Sequence, residues 1–251
     1  WQPLGKYFYE LRQYTRQYQN IQEQKTVFNN QLHSLKSGMY NNKTIVKQLD
    51  NCIKLFDKQL KELEKRIQEH INSNSEVKQK SMNICKIKGI ATLSLATILA
   101  ETNGFELFES AKQLVSYAGF DVIENQSGNR VGRTKISKKG NSRIRRILFM
   151  PAFTAVSCKQ KPFLDLYNRT FERHGIKMKS YVAVQKKLLV IIYSLYKNNQ
   201  EYSSEKHNIQ EKEQVLSSLL AFEKGIKNSP NQIEAIQGKH PVKDHSTLPL
   251  C

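Results

Sequence analysis

The sequence has few of the residues that build metal or redox sites. It contains only 4 cysteines and 6 histidines in 251 residues. No two cysteines stand at the spacing of a zinc knuckle or a redox Cys-x-x-Cys. No histidine pair lies at ligand spacing beside a cysteine or a carboxylate. We therefore expect reduced thiols, a cytoplasmic protein and no metal ion bound by this chain.

Acidic residues are scarce as well. The chain has 22 Asp and Glu against 40 Lys and Arg, and its formal net charge is +18. A field of this size and sign favours a polyanionic partner, with nucleic acid the first candidate. An anionic membrane surface is the second, but no continuous apolar run is long enough to span a bilayer.

The two ends of the chain differ from its middle. Residues 1–4 show no initiator methionine and no signal or transit pattern, so we interpret the N-terminus as a cut inside a longer protein. Residues 201–251 are polar and contain Pro230, Pro241 and Pro249, which argue against a packed core. We predict a flexible tail there.

Residues 1–75 carry apolar side chains at steps of three and four residues. The first such seam consists of Leu11, Tyr14, Tyr18, Ile21, Phe28, Leu32 and Leu35, with Lys25 in the one missing slot. The second consists of Ile45, Leu49, Ile53, Phe56, Leu60, Leu63 and Ile67. Because a short polar turn separates the seams, they predict an antiparallel coiled-coil hairpin, acting as a spacer or as the surface of a homo-oligomer.

Residues 76–200 predict a compact, mainly α domain. Apolar helical stretches recur at 92–101, 111–118, 143–157 and 180–196. Between 119 and 142, four glycines predict a loop or small hairpin: Gly119, Gly128, Gly132 and Gly140.

Residues 87–91 resemble a helix–hairpin–helix turn, in which Lys88 and the backbone at Gly89 would contact a DNA phosphate. A plain packing corner between two helices is the alternative.

The glycine-containing segment is strongly basic. No acid occurs between Asn125 and Met150, and the eight cations are Arg130, Arg133, Lys135, Lys138, Lys139, Arg143, Arg145 and Arg146. Such a cluster favours a phosphate-binding site over a merely solvated face. Three serines of the segment could act as a nucleophile, Ser127, Ser137 and Ser142, and periodicity does not choose among them.

A longer set of spaced residues extends over residues 81–196. The set comprises Ile87, Gly89, Ile90, Thr97 to Glu101, Phe108, Ala111 to Leu114, Tyr117 to Gly119, Gln126 to Gly128, Ile136 to Asn141, Arg145, Arg146, Ala152, Lys186 to Leu188 and Tyr193. With it, the segment resembles the C-terminal domain of the insertion-sequence-110/1111 type transposases. The preceding hairpin resembles the coiled-coil region of that family.

The resemblance implies a mechanism. In that family an N-terminal RuvC-like domain binds magnesium through four acids, the serine of the Ser-Gly step is the nucleophile, and a bridge RNA supplies the target and donor sequences. Ser127 is thus the implied nucleophile. The RuvC-like domain is expected to be missing from this chain, so Mg²⁺ is expected only through that domain.

We therefore predict a nucleoid-associated bacterial DNA transposase that cuts and rejoins strands by serine attack, with DNA and a bridge-type guide RNA as partners. This fragment alone is expected to be inactive, because an unassisted serine is a poor nucleophile. One alternative is a non-catalytic nucleic-acid-binding remnant of such a transposase. Another is a structural dimerisation protein whose charge only aids solubility.

Overall fold

The computed structural model describes residues 5–123, 126–127, 130–132 and 135–202. Residues 1–202 form one compact unit. In chain order the helices are α1 (Lys6–Ser37), α2 (Lys43–Ser73), α3 (Ser75–Ile84), α4 (Thr92–Thr102), α5 (Ala111–Tyr117), α6 (Ser142–Ile147), α7 (Phe149–Ser157), α8 (Lys161–His174) and α9 (Lys177–Asn198). The strands are β1 (Val122–Ile123), β2 (Gln126–Ser127), β3 (Arg130–Val131) and β4 (Lys135–Ile136). The prediction of a mainly α fold is confirmed.

Helices α1 and α2 form an antiparallel hairpin. The rings of Phe28 and Phe56 meet edge to face with centroids 5.3 Å apart. Lys25, which occupies the slot without an apolar side chain, forms an ion pair with Asp57 of the other helix. The side chain of Asn42 caps α2 by accepting hydrogen bonds from its first turn. The two seams thus pack against each other within one chain, half-buried along most of their length and exposed at Ile45, and their supercoiling stays a prediction.

The open end of the hairpin is part of the hydrophobic core. Leu11 of α1 and Ile67 and Ile71 of α2 belong to the same buried cluster as α4. Helix α4 is buried from Leu95 to Thr102 and packs on α1, α2 and α6. The hairpin therefore joins the domain through packed apolar surface rather than through a linker.

Helix α9 organises the rest of the domain by packing on α3, α5, α7 and α8. The stretch 143–157, predicted as one helix, is two helices that meet at Leu148. Pro151 accounts for the break, because it has no N–H to offer the preceding turn and its ring crowds the carbonyl four residues earlier. No helix in the described part of the chain is both long and apolar enough to cross a membrane.

Candidate nucleic-acid interface

Two backbone segments, 117–121 and 137–141, run side by side and support the basic segment. The N–H of Asn141 donates to the carbonyl oxygen of Tyr117 at 2.8 Å, and the N–H of Ser137 donates to that of Asp121 at 2.7 Å. Gly140 permits this approach. It has a φ of +154°, and a Cβ at this position would lie 2.4 Å from the oxygen of Tyr117.

Beyond this support the chain forms a narrow antiparallel ribbon. β1 pairs with β4, and β2 pairs with β3 in a register that sets Ser127 opposite Arg130. We call the described residues between Val122 and Ile136 the ribbon. Ser127 is exposed and is the last residue of β2. Gly128 and Arg133, which the sequence assigned to this site, lie outside the described residues, as does the side chain of Arg130.

Next to the ribbon, a buried polar cluster joins the hairpin to the basic segment. Glu101, only 1% exposed, is the one buried acid among the described residues. Arg16 of α1 donates two hydrogen bonds to its carboxylate, at 2.8 and 3.0 Å, and Nδ2 of Asn141 donates a third at 2.7 Å. The hydroxyl of Tyr117 donates to the backbone oxygen of Glu101 at 3.2 Å. We call these four residues the polar anchor.

The polar anchor keeps Glu101 ionised. Burial raises its pKa, but the hydrogen bonds from Arg16 and Asn141 and the charges of Arg16 and Arg12 outweigh burial, so its pKa lies below the ordinary value. The side-chain oxygen of Asn141 also accepts the N–H groups of Arg143 and Ile144 at the start of α6. One amide side chain therefore connects the buried carboxylate to the first turn of the basic helix.

Five of the eight predicted cations fall into three groups. Lys135, Lys138 and Lys139 are exposed. Arg145 is used internally, since its guanidinium donates to the oxygen of Ala118 at 2.8 Å. Arg146 forms an ion pair with Glu23 of α1, and this contact lowers the pKa of Glu23.

Arg143 and Ser137 are half-buried. Among the described residues, Nε of Arg143 and Oγ of Ser137 are buried without a hydrogen-bond partner. Ser142, the third serine considered, is exposed at the first position of α6. Ser127 and Ser142 are therefore the exposed hydroxyls of the segment within the described residues.

The turn at residues 87–91 makes extensive packing contacts. Gly89 has a φ of +104°, and a Cβ there would lie 3.0 Å from both the Pro151 oxygen and Cβ of Thr154. Gln160 donates to the Lys88 carbonyl at 2.8 Å, while the Lys88 side chain is exposed. These contacts belong to a packing corner between α3, α4 and α7. Contact of Lys88 and Gly89 with a phosphate stays a prediction.

Sequence reasoning gave no role to Arg16 or to a buried carboxylate. The signal was present but indirect: Asn141 precedes a helix as a capping residue should, and Glu101 ends an otherwise apolar helix. The contacts join residues 85 and 40 positions apart, and no periodicity relates them.

Comparison with known proteins shows which family the middle of the chain is similar to. Residues 81–168, which include α4, the polar anchor apart from Arg16, and the ribbon, match a transposase family model. The family is the transposase IS116/IS110/IS902 family, and these findings support an IS110-family transposase, as the sequence resemblance implied.

Two curated relatives are pilin gene-inverting proteins from Moraxella bovis and Moraxella lacunata. Each is 29% identical over 160 residues, which are 63% of this chain and 49% of the relative. A probable family 20 transposase from Pseudomonas aeruginosa is 20% identical over 114 residues, which are 45% of this chain and 32% of that protein. The match to the Moraxella proteins thus spans about half of their length.

Proposed function

We propose that this chain is the DNA-handling part of a transposase that cuts and rejoins DNA strands, with Ser127 as the nucleophile. The observation that carries the proposal is the position of Ser127, exposed at the end of β2 in a basic ribbon that the polar anchor ties to the core. The names of the relatives, a transposase and two gene-inverting proteins, support rearrangement of DNA as the activity.

The proposed step is a transesterification. Oγ of Ser127 attacks a phosphodiester phosphorus and forms a P–O bond while the bond to one deoxyribose oxygen breaks. The serine proton passes to a base, and the leaving oxygen takes up a proton. Attack by a DNA hydroxyl on the serine ester reverses the exchange, so rejoining needs no external energy. The exposed lysines of the basic segment, Lys135, Lys138 and Lys139, would offset the charge that develops on the phosphate.

The base and the metal would come from elsewhere. Among the described residues, no group of three His, Cys, Asp or Glu could hold a metal ion. Glu101, the buried acid, has both carboxylate oxygens occupied by Arg16 and Asn141. The residues described here therefore do not fit a magnesium site. On the family resemblance, activation would come from a RuvC-like domain, and a bridge-type RNA would select the DNA.

A homo-oligomer is also proposed, through the distal half of the hairpin. The seams pack mainly on each other within one chain, although Ile45 of the second seam is exposed. Exposed apolar side chains at this end, Val27, Met39, Tyr40 and Leu55, offer the surface for association. Action on DNA would locate the protein at the bacterial nucleoid in the cytoplasm.

The test uses the complete transposase, with its RuvC-like domain and guide RNA. Ser127→Ala is expected to abolish strand cleavage and to leave DNA and RNA binding nearly unchanged, because the exposed hydroxyl contributes little to folding. Ser142→Ala is the matched control, since it removes an exposed serine hydroxyl from the same basic segment.

A covalent protein–DNA adduct, trapped on a nicked substrate, should map by mass spectrometry to the peptide that contains Ser127. An adduct on another serine, or strand exchange by Ser127→Ala at the parent rate, would show that the assignment is wrong. The second candidate function, a remnant that binds nucleic acid without cutting it, is favoured by the lack of an acidic metal site among the described residues. Binding without any adduct in the complete protein would support it.

A further inference from the structure

A cleft lies between the base of the ribbon and the helices α8 and α9. Its volume is about 660 Å³, within the range of sites that hold small organic ligands. Four lysines line it from two sides: Lys135 and Lys138 from the ribbon side, and Lys179 and Lys186 from α9. Among the described residues, no carboxylate lines this cleft.

The four lysines are available for an anion. Across the part of the chain that the structure describes, none of them takes part in an ion pair. Lys179 and Lys186 are seven residues apart, two helical turns, and therefore stand above each other on one face of α9. Lysines that face one another across a cleft are complementary to the phosphates of a strand running along it.

The floor of the cleft is apolar. Val122 and Ile136 contribute from the ribbon, and Val182 and Ala183 from α9. Val122 is 59% exposed and Ile136, Val182 and Ala183 are half-buried, so this floor is open to solvent. An apolar floor between cationic rims matches an unpaired nucleotide, which has an apolar base face and an anionic phosphate. A duplex keeps its base faces stacked inside and would present only phosphates to this floor.

We propose that this cleft binds an unpaired stretch of the DNA strand that is being exchanged, with bases on the floor and phosphates on the four lysines. The proposal rests on the proposed function for the choice of DNA. Ser127 lies five positions after Val122, which lines the cleft, and an extended chain covers at most about 18 Å over that length. A strand in the cleft therefore passes within reach of the exposed serine.

The experiment measures binding of fluorescein-labelled oligothymidine of about 12 nucleotides to the 251-residue chain, as a function of salt. The double variant Lys179→Gln/Lys186→Gln should lower the slope of log affinity against log salt by about 1.4, since each phosphate contact to a single strand contributes about 0.7. Lys54→Gln/Lys61→Gln is the matched control: two exposed lysines with the same spacing on α2. It should leave the slope unchanged.

Ala183→Leu tests the floor without changing charge. It should raise the Kd for the single strand at least about fivefold and leave the Kd for the thymidine–adenosine duplex unchanged. Circular dichroism melting confirms that each variant folds. The proposal is overturned if the α9 double variant matches its control, if Ala183→Leu weakens strand and duplex equally, or if oligouridine RNA binds more tightly than the DNA strand.

Failure of this proposal and failure of the proposed function are distinguishable. Ser127→Ala should bind oligothymidine like the parent chain, because Ser127 does not line the cleft. If another residue proves to be the nucleophile, the binding results for α9 stand unchanged. If the cleft binds no strand, cleavage that depends on Ser127 in the complete transposase stands on its own.

Discussion

The polar anchor and the ribbon use similar residue types in opposite ways. In the polar anchor, Arg16, Asn141 and Tyr117 all donate to Glu101, and its carboxylate is 1% exposed. In the ribbon, Ser127 of β2 and Lys135 of β4 are exposed. Polar groups of the first region satisfy one another, whereas those of the second remain available for a ligand.

The contrast separates two contributions within one basic segment. Arg145 and Asn141 hold the segment in place, and Lys135, Lys138 and Lys139 present charge to solvent. Counting cations in the sequence does not distinguish a cation that holds the segment in place from one that is exposed to solvent. Substitutions in the polar anchor should therefore change the free energy of unfolding, and substitutions on the exposed side should change binding.

Removing Glu101 should give the largest effect. Glu101→Ala leaves Arg16 and Asn141 without their acceptor. Loss of one partner of a buried ion pair costs about 3–5 kcal/mol. Because the Arg16 side chain is 43% exposed, water replaces part of the interaction, and we expect a loss of about 2–4 kcal/mol. Urea unfolding of the 251-residue chain, followed by circular dichroism, measures it. Glu64→Ala, which removes an exposed acceptor of Tyr18, should cost about 1 kcal/mol or less.

The same interaction predicts a pH dependence. The pKa of Glu101 lies below its ordinary value in the folded protein. In acid, the unfolded state therefore binds more protons at this residue than the folded state does. The stabilisation is complete above the unfolded pKa, about 4.3, and is lost as the pH falls through the folded pKa. The difference in unfolding free energy between the parent and Glu101→Gln should therefore shrink below about pH 5. A difference that stays constant down to about pH 3 would contradict the assignment.

Gly140→Ala should give an intermediate effect by separating the two support segments. The new Cβ would lie 2.4 Å from the carbonyl oxygen of Tyr117, and the φ of +154° is one that alanine rarely adopts. We expect a cost of about 1–3 kcal/mol, measured as above. Gly38→Ala is the control, since Gly38 has a φ of −75° and its nearest neighbour would be 3.4 Å away. Equal effects at both sites would show that the close approach at Gly140 does not matter.

The sequence predicted the hairpin because local periodicity determines it. Ile21 and Leu60 occupy seam positions, and both are buried between the two helices. Helix α8 was not predicted. Its apolar residues, such as Phe163 and Tyr167, are separated by charged ones, so no continuous apolar stretch marks it.

The candidate site was only partly predictable, because some of its contacts join residues that are far apart in the sequence. The basic segment and Ser127 are visible as composition and as a family motif. The polar anchor depends on Arg16 reaching Glu101 across 85 residues, a contact that exists only once α1 packs on α4. The cleft likewise needs the ribbon and α9 to face each other, which no local pattern encodes.

The smallest effect on stability, and the sharpest test of the contrast, should come from Lys139→Ala. Lys139 is exposed, and no ion pair involves it among the described residues. The free energy of unfolding should therefore stay within about 0.5 kcal/mol of the parent. Binding of duplex DNA should nevertheless change, because a lysine that contacts a phosphate releases a counterion. One lost contact lowers the slope of log affinity against log salt by about 0.9.

Lys58→Ala supplies the matched control for this measurement. It removes the same charge from an exposed position on α2, away from the ribbon, so it should leave the slope at the parent value. If both variants lowered the slope equally, net charge rather than the basic segment would drive binding. If Lys139→Ala destabilised the chain by as much as Gly140→Ala, Lys139 would belong with the residues that hold the segment in place. Only Lys135 and Lys138 would then remain as lysines of this segment that serve binding and not stability.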